Sequence, residues 1–345
     1  MSGIRIRPID PTDPAAFDAW HAVYLAAETC GRETWANPWA LEEFRADRAR
    51  PVPYRSAEMF AGVVDGEVVV VGDLELSLID KPEHASVQVF TRPSHRRRGH
   101  GSRMLDTLEA AARAQGRRVF DAEAAYPYDG PADGAGSAGV EFARRHGYAF
   151  GLGDVMRVLD LPVSTALLES LLAEAAPHHT SYTLRSWVGH VPDDLVLDWA
   201  TLDASLDTQA PTGDLVKEPN AVDVPALRAR EEVLDRQQRT AYHCVAVAPG
   251  GRLAAYNLLV LPALDPGRVY QWGTLVAPEH RGHRLGLAIK AANLLQLQAS
   301  HPEPLLLGTY NAEVNTHIIG INERLGFRPV ERLGEFQKTL PRVPQ

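Results

Sequence analysis

The sequence predicts an α/β (α+β) protein made of two tandem copies of one domain, each a mixed, mostly antiparallel sheet flanked by helices. Three patterns predict this fold, and each occurs twice. They are a β-hairpin with a glycine-containing turn, a basic glycine-rich loop between a strand and a helix, and a Gly-aromatic pair between a helix and a strand. Repetition at a near-constant spacing indicates a duplicated fold.

The spacing is 185 residues for the hairpin turn (Asp65 to Gly250) and for the loop (Gly101 to Gly286), and 179 residues for the helix end (Gly147 to Gly326). We therefore expect an N-terminal domain over 1–161 and a C-terminal domain over 181–345. The segment VSTALLESLLAEAAPHH has helical spacing, which predicts a linker helix within 162–180.

Within each copy the elements follow one order. A first strand (IRIRPI, YTLRSW) precedes helices and then the hairpin, in which an Asp-Gly or Gly-Gly turn separates two strands. A fourth strand (SVQVFT, YQWGTLV) leads into the basic loop and a helix with an apolar stripe. A fifth strand (RRVFDAEA, PLLLGTYN), a helix ending at a left-handed glycine and a last strand (MRVLDLP, FQKTLP) complete the copy. The predicted stripes are Met104, Leu105, Leu108 and Ala112, and Leu285, Ile289, Ala292 and Leu295.

The composition argues against several classes of protein. The 345 residues are 45% hydrophobic and 23% charged, which is typical of a globular protein. A net charge of −9 argues against nucleic acid as the main partner, and no apolar run approaches the ~18 residues of a membrane span. Cys30 and Cys244 provide no disulfide framework, so we expect a reducing, cytoplasmic location. No zinc-type spacing occurs, and we expect no metal site.

The loop of the first copy, HRRRGHG, places three arginines beside two glycines and a helix start. The free N–H groups and the dipole of a helix N-terminus favour an anion, and arginines pair with phosphate oxygens. A solvated basic loop is the alternative, but the recurrence of the pattern after a strand and before a helix favours an anion site. A Rossmann dinucleotide site is not expected, because its glycine loop opens an early βαβ unit.

These residues resemble the GCN5-related N-acetyltransferases, whose acyl-CoA loop reads R-x-x-G-x-G after the fourth strand. The segment Arg96–Gly101 matches that loop fully, and Arg281–Gly286 matches it in part because Arg284 replaces the middle glycine. An arginine fits there if its φ stays negative. The segment NTHIIGINERLGF resembles the fourth helix of the family. The tandem layout is similar to that of the mycothiol synthases, although no motif assigns that substrate.

The resemblance implies acetyl-CoA as the cofactor. Backbone groups of the fourth strands would contact the thioester, at Phe90 and Thr91 and at Leu275 and Val276. Asn315, at the start of the fourth helix, would hydrogen-bond the pantetheine arm or serve only as an N-cap. The implied loop contacts are Arg96, Arg97, Arg98, Gly99, His100, Gly101 and Ser102 in the first copy, and Arg281, Gly282, His283, Arg284, Leu285 and Gly286 in the second.

Neither copy keeps the tyrosine that the resembled family often uses as a general acid, because Ala143 and Asn322 occupy its position. Loss of the acid is tolerable, since a thiol with a pKa near ~8.5 leaves more easily than an amine with a pKa near ~10 loses its proton. Asn322 and Tyr310 are the candidate catalytic residues, and Tyr310 is alternatively a packed strand aromatic.

No acid lies on either predicted fourth strand. The proton of the amine could pass to a water held by Gln271, Thr274 or a backbone carbonyl. In the first copy it could pass instead to Asp121 or Glu123 on strand five, which are alternatively solvated strand-end acids.

Acceptor selectivity in the resembled family usually comes from the first two helices and their loop. The first copy has Trp35 there, and the second has Asp203, Asp207 and Asp214. Carboxylates would favour a cationic amine, or they are loop and cap residues. The predicted substrate contacts are Trp35, Asp207 and Gln271.

The sequence therefore predicts a cytoplasmic, acetyl-CoA-dependent N-acetyltransferase for a small-molecule amine, as a monomer or homodimer. The alternatives are a protein or peptide N-acetyltransferase, and an acyl-CoA-binding module that has lost catalysis. We expect the first copy to bind the cofactor more tightly because its loop is complete. We expect transfer in the second copy, which has Asn315, Tyr310 and the acidic acceptor loop.

Overall fold

The computed structural model describes residues 3–341. The chain divides into two compact units. Within the described residues, unit 1 contains 3–153, Gly213–Val216 and 332–341, whereas unit 2 contains Asp154–Thr212 and Lys217–Glu331. These limits differ from the predicted boundaries. The linker segment 162–180 belongs to unit 2, which begins at Asp154, and unit 1 receives two short segments from the second half of the sequence.

Both units have the predicted mixed α/β composition. The elements from β1 to β6 are β1 (Arg5–Pro8), α1 (Pro14–Thr29), α2 (Leu41–Arg48), β2 (Arg55–Val64), β3 (Glu67–Ser77), β4 (His84–Thr91), α3 (His100–Ala114), β5 (Val119–Pro127), α4 (Ala138–Arg145) and β6 (Ala149–Leu161). The remaining elements are α5 (Thr165–Ala175), β7 (Thr183–Val188), α6 (Val196–Ala204), α7 (Leu206–Gln209), α8 (Val224–Arg236), β8 (Arg239–Val247), β9 (Leu253–Pro262), β10 (Arg268–Val276), α9 (Leu285–Ser300), β11 (Leu305–Ala312), α10 (Thr316–Leu325) and β12 (Arg328–Thr339).

The strands of unit 1 lie in the order β1-β2-β3-β4-β5-β12-β6, and those of unit 2 in the order β12-β6-β11-β10-β9-β8-β7. Strands β6 and β12 count in both units because each is divided by the unit boundary. The strand beside β5 in unit 1 is thus the C-terminal strand of the chain, and β6 pairs with β11 over Asp154–Leu161. The prediction that each copy ends with its own last strand is therefore not met. The side-chain pattern of a strand sets its register but does not identify its partner.

Two backbone predictions are confirmed. Asp65 and Gly66 have φ values of 49° and 87°, as in the left-handed turns that suit hairpins. Gly147 and Gly326, with φ values of 82° and 98°, end α4 and α10 in the left-handed conformation.

The core of unit 1 lies between the sheet and α3, and the predicted stripe from Met104 to Ala112 is buried in it. Helix α9 of unit 2 is buried over more of its surface than the predicted stripe. The reason is α5, whose Leu168 and Leu171 pack with Leu287 and Leu294 in one cluster. Among residues 3–341, no helix combines the length and the apolar character needed to cross a membrane.

Candidate functional site

In each unit two parallel strands separate near their middle. β4 pairs with β5 only over His84–Ser86, although it stays paired with β3 as far as Thr91. β10 pairs with β11 only over Arg268–Tyr270 and stays paired with β9 as far as Val276. Beyond these points one edge of β4 and of β10 has no strand partner among the described residues. An extended ligand with amide groups can hydrogen-bond to such an edge.

Strand β10 is bulged where it separates from β11, since its register with β9 shifts between Gln271 and Gly273. The buried Asn257 of β9 holds the bulge. Its Nδ2 donates to the carbonyl oxygen of Gly273 at 3.3 Å and to Oγ1 of Thr274 at 2.8 Å, and its Oδ1 accepts from Asn293 at 2.8 Å. β4 keeps a continuous register with β3. Because bulges re-aim backbone groups, the two units differ where the thioester contact was predicted.

The basic loops of the two units follow the same backbone path. A left-handed residue occurs at Arg97 (φ 63°) and at Gly282 (φ 86°), and a second one two residues later at Gly99 (φ 81°) and at Arg284 (φ 53°). Arginine and glycine are thus interchanged between the units, and the condition of a negative φ at Arg284 is not met. A left-handed non-glycine residue costs ~1–2 kcal/mol. Each loop therefore keeps one arginine in an unfavourable conformation.

Helices α3 and α9 begin directly after these loops, and no side chain caps either N-terminus. A Cβ at Gly101 would lie 3.2 Å from Oγ1 of Thr91, and a Cβ at Gly286 would lie 3.2 Å from Cδ1 of Ile321. Glycine therefore allows the helix start to approach its neighbours closely. An uncapped helix N-terminus at the end of a separating strand is suited to an anionic group.

The first arginine of each loop ties the loop to the strand before it. Nε of Arg96 donates to the carbonyl oxygen of Thr91 at 3.3 Å, and Nη2 donates to that of Ala27 at 3.1 Å. Nε of Arg281 donates to the carbonyl oxygen of Val276 at 3.4 Å. The predicted role of both arginines as phosphate contacts stays a prediction, and in this structure they hold the loop.

Arg97 and Arg98 are exposed, and the side chain of Arg97 makes no hydrogen bond or ion pair within the part of the chain that the structure describes. Burial and the neighbouring cationic side chains lower the pKa of His100, which favours its neutral imidazole. Oγ of Ser102 lies 3.0 Å from Nε2 of His146. The loop of unit 1 thus presents two exposed guanidinium groups to an incoming anion.

The loop of unit 2 is engaged by the segment that follows β6. The carboxylate of Glu174 on α5 pairs with both Arg284 and Arg324. Nδ1 of His283 lies 3.0 Å from the carbonyl oxygen of His178. An anion that binds this loop must compete with Glu174 for Arg284.

We use the term acceptor face for the side of each sheet that is covered by the first two helices of the unit. In unit 1 aromatic rings fill this face beside β4. The ring of Phe90 lies 5.0 Å from that of Tyr24 and 6.4 Å from that of Trp20, and Phe44 lies 5.2 Å from Trp20. The predicted thioester contact Phe90 therefore has its side chain in an aromatic cluster.

A buried ion cluster lies next to these rings. Arg48 pairs with Asp47, Asp73 and Glu75, and the distance to Asp73 is 2.6 Å. Nη2 of Arg55 donates to Asp47 at 2.8 Å. Burial raises the pKa of Asp73 to about 6, although the charge of Arg48 opposes the shift. Sequence reasoning missed this cluster, and its only signal was a pair of acids within the apolar strand VVVVGDLEL.

The acceptor face of unit 2 carries carboxylates instead. The hydroxyl of Tyr256 donates to Oδ1 of Asp203 at 3.1 Å, and burial raises the pKa of Asp203. Nδ2 of Asn220 donates to Oδ2 of Asp207 at 3.2 Å. Asp203 and Asp207 thus lie at this face, whereas Asp214 belongs to unit 1 and its N–H donates to the carbonyl oxygen of Gly151.

The candidate catalytic residue Asn322 lies in a buried polar network. Its Oδ1 accepts from Nζ of Lys290 at 2.6 Å, and its Nδ2 donates to Oδ1 of Asn311 at 2.7 Å. Burial lowers the pKa of Lys290 to about 7. No pattern in the sequence marked Lys290, which occupies a core position of α9.

The other predicted residues occupy separate places. Nε2 of Gln271 donates to Oγ1 of Thr309 at 3.3 Å, where β10 leaves β11. Tyr310 follows Thr309 in β11 and is half-buried. Oδ1 of Asn315 accepts from the N–H of Ile318 at 3.4 Å, which is an N-cap contact. Trp35 lies half-buried in the loop between α1 and α2.

The two acids predicted as general-base candidates in the first copy also have interaction partners. Asp121 lies 2.8 Å from Nδ1 of His84 and accepts from Nε2 of Gln337 at 2.8 Å. Glu123 lies two residues further along β5 and also has an interaction partner. The structure thus offers no evidence that either acid is reserved for a substrate.

Comparison with known proteins adds to this geometry. Residues 20–132 match the model of the acetyltransferase (GNAT) family. No curated protein sequence matches the chain significantly. A tandem GNAT protein from the clavulanic acid biosynthesis pathway, solved without AcCoA, is 25% identical, with a TM-score of 0.78 over 99% of this chain and 100% of its own.

Two more distant structures share the fold. A GCN5-related N-acetyltransferase from Sphaerobacter thermophilus is 16% identical, with a TM-score of 0.65 over 99% of this chain and 98% of its own. Another from Kribbella flavida is 14% identical, with a TM-score of 0.51 over 98% of this chain and 71% of its own.

Proposed function

Because the chain is a two-domain member of the GNAT superfamily, we propose that it is an acetyl-CoA-dependent N-acetyltransferase whose acceptor is a small-molecule amine. The observation that carries this proposal is the arrangement found in both units. A strand edge left open by its parallel neighbour leads into a loop with two left-handed residues, and an uncapped helix begins there.

The residues around this arrangement suit a ligand with an amide-containing arm and a pyrophosphate. The open edge of β4 or β10 offers backbone groups to the arm, and the free N–H groups of the first turn of α3 or α9 create a positive potential that attracts the pyrophosphate. Arg97 and Arg98 add two exposed cations in unit 1. Acetyl-CoA, when bound, supplies the acetyl group as a thioester.

We further propose that the two units divide the work. Unit 1 has the exposed cations, and aromatic rings fill the acceptor face beside β4. These features favour tight binding of acetyl-CoA over transfer. Unit 2 has the bulged strand, and carboxylates lie at its acceptor face, whereas Gln271 pairs in register with Leu259 of the core that α9 covers. Its backbone at the bulge would polarise the thioester carbonyl, and its acidic side chains would attract a cationic amine.

A pair of charge-reversal variants tests the proposal. In the first, Arg97→Glu with Arg98→Glu removes the cations of the unit 1 loop. In the second, Arg281→Glu with His283→Glu makes the unit 2 loop repel an anion. Thiol release from acetyl-CoA would be measured with a panel of amines and peptides, and acetyl-CoA binding by calorimetry.

We expect the first variant to lose at least tenfold in acetyl-CoA affinity, because a charge-assisted contact contributes ~1.5–3 kcal/mol. The second should lose most of its turnover. Arg50→Glu, an exposed reversal outside the loops, serves as the control and should behave like the native chain. Amine-dependent thiol release that survives in the second variant and disappears in the first would assign the transfer to unit 1. Absence of thiol release with every amine and peptide would contradict the enzymatic proposal.

A further inference from the structure

We propose that Asp203, held in place by the hydroxyl of Tyr256, binds the ammonium form of the acceptor in unit 2 and takes its proton. This inference rests on the proposed acetyl transfer and identifies the group that prepares its nucleophile. The acceptor it fits is a primary amine that arrives as a cation.

Asp203 of α6 is linked to the bulge of β10 through Tyr256. A Cβ on Gly273 would lie 2.8 Å from the hydroxyl oxygen of Tyr256 and 2.6 Å from its Cε2. The phenol is therefore in direct contact with the backbone of the bulge. Since that hydroxyl donates to Oδ1 of Asp203 at 3.1 Å, the carboxylate lies one hydrogen bond away from the open strand.

The second oxygen of this carboxylate is available to a ligand. Oδ2 of Asp203 accepts no hydrogen bond from any residue between 3 and 341, and the side chain is only partly buried. The ring of Tyr256 is packed at 4.7 Å against Trp199 of the same helix as Asp203, so the phenol has little freedom to move. A fixed carboxylate with one oxygen free can accept a proton from a positioned ammonium group.

The charges around Asp203 suit that task. Burial raises its pKa, and the hydrogen bond from Tyr256 and the positive charge of Arg230 on α8 oppose this shift, while the negative charge of Asp207 on α7 adds to it. A carboxylate with a raised pKa is a better proton acceptor. The two nearby charges have opposite signs, so a cationic ligand is not repelled by a net positive environment.

The two units differ at this position in a way that supports the assignment. Tyr24 lies four residues after the buried Trp20 of α1, and Asp203 lies four residues after the buried Trp199 of α6. In unit 1 the phenol of Tyr24 packs against Phe90 and its oxygen accepts the N–H of Trp39 at 2.9 Å. The same helical position thus closes the acceptor face of unit 1 and supplies a carboxylate in unit 2.

The ammonium R–NH3+ transfers one proton to Asp203 and becomes a free amine. Its nitrogen forms a bond to the carbonyl carbon of the thioester, and the C–S bond breaks. The second proton lost by nitrogen neutralises the departing thiolate, and Asp203 releases its proton to water. The products are the acetamide, free thiol and one proton in solution.

Kinetics of two variants test the assignment. Asp203→Asn keeps the shape of the side chain and should lower kcat/KM for the amine at least 100-fold, since general-base catalysis contributes about 10²–10⁴. Its affinity for acetyl-CoA should be unchanged. Tyr256→Phe removes a hydrogen bond that lowers the pKa of Asp203, so the acidic limb of the kcat/KM profile should move to higher pH. The exposed Asp194→Asn is the control and should match the native enzyme.

Asp203→Asn with more than a tenth of native kcat/KM, or Tyr256→Phe with an unshifted acidic limb, would overturn the inference. A second measurement does not depend on turnover. The full-length protein is treated with a water-soluble carbodiimide and n-butylamine, and the coupled carboxyl groups are located by mass spectrometry. We expect a butylamide at Asp203 in the native chain. Coupling at exposed acids such as Asp194 without coupling at Asp203 would show that an amine cannot reach this carboxylate, whatever the outcome for acetyl transfer.

Discussion

At the residue scale, Lys290 is a fully buried lysine whose partner is an amide instead of a carboxylate. Its Nζ donates to Oδ1 of Asn322 at 2.6 Å and lies 5.3 Å from the centre of the Phe327 ring. Burial lowers its pKa from 10.5 to about 7. Such a shift corresponds to roughly 5 kcal/mol of preference for the neutral amine.

The shift predicts how stability depends on pH. Between pH 7 and 10.5 the unfolded chain binds a proton at Lys290 and the folded chain does not, so this group makes the native protein more stable as pH rises. Replacement by methionine, Lys290→Met, removes this dependence but leaves Oδ1 of Asn322 without its donor, at a cost of ~1–3 kcal/mol. We expect the variant to be more stable than the native chain by ~2 kcal/mol at pH 7.

Urea unfolding at pH 7, 8 and 9 measures this difference. The advantage of Lys290→Met should fall by about 1.4 kcal/mol for each pH unit. Leu294→Met, an uncharged and buried position of the same helix, is the control and should keep the native pH dependence. A constant difference between Lys290→Met and the native chain would mean that the lysine is charged in the folded protein.

The burial of charged residues such as Lys290 could not be predicted from the sequence. Lys290 and Asp73 have charged side chains within apolar patterns, and their burial depends on partners that lie 32 and 25 residues away, Asn322 and Arg48. The loop arginines were predicted as one group, whereas Arg96 holds the loop and Arg97 is exposed. The sequence pattern does not distinguish an arginine that holds the loop from one that is exposed, because the difference depends on the position of the end of α1.

At the element scale, α5 controls the charge of the second loop. Glu174 pairs with Arg284 and Arg324, so both cations are partly neutralised before any ligand binds. We predict that Glu174→Gln increases the affinity of unit 2 for acetyl-CoA about two- to fivefold, because exposed ion pairs are weak. Calorimetry in the Arg97→Glu, Arg98→Glu background would isolate the second site.

Glu169→Gln is the matched control for this experiment, since Glu169 is exposed on the same helix. Its affinity for acetyl-CoA should equal that of the background chain. An equal increase for Glu169→Gln and Glu174→Gln would show that only the net charge of the protein matters. The gain at Glu174 should also decrease as salt is added, because salt screens exposed charges.

Elements defined by local chemistry were predicted well. The Asp65-Gly66 turn, the left-handed Gly147 and Gly326 and the stripe of α3 depend on residues close together in sequence, and all are confirmed. The bulge of β10 was not predicted. It is held by Asn257 from the neighbouring strand, which itself bonds to Asn293 of α9. A register shift that depends on two other elements has no signature within YQWGTLV.

At the scale of the whole molecule, repetition in the sequence correctly indicated two domains of one fold, but it did not show which strand completes which sheet. The chain from Arg332 onwards belongs to unit 1, where Phe336 is buried in the core with Phe120 and Tyr148. Nζ of Lys338 bonds to the buried Glu109 of α3 at 2.8 Å. The C-terminal strand therefore stabilises the unit that is formed mainly by the start of the sequence.

The place of the C-terminal strand in unit 1 leads to a prediction opposite to the one that the repeat pattern alone would give. Phe336→Ala should lower the free energy of unfolding by ~3–5 kcal/mol, and the loss should appear in unit 1. Hydrogen–deuterium exchange by mass spectrometry should show faster exchange in α3 and β5. The control is Phe327→Ala, nine residues earlier, whose ring lies in the core of unit 2 with Leu287 and Leu307 and which should accelerate exchange in α9 and β11. If Phe336→Ala instead loosened α9 and β11 and left α3 protected, the C-terminal strand would belong to the sheet of the second copy, as the repeat pattern alone implies.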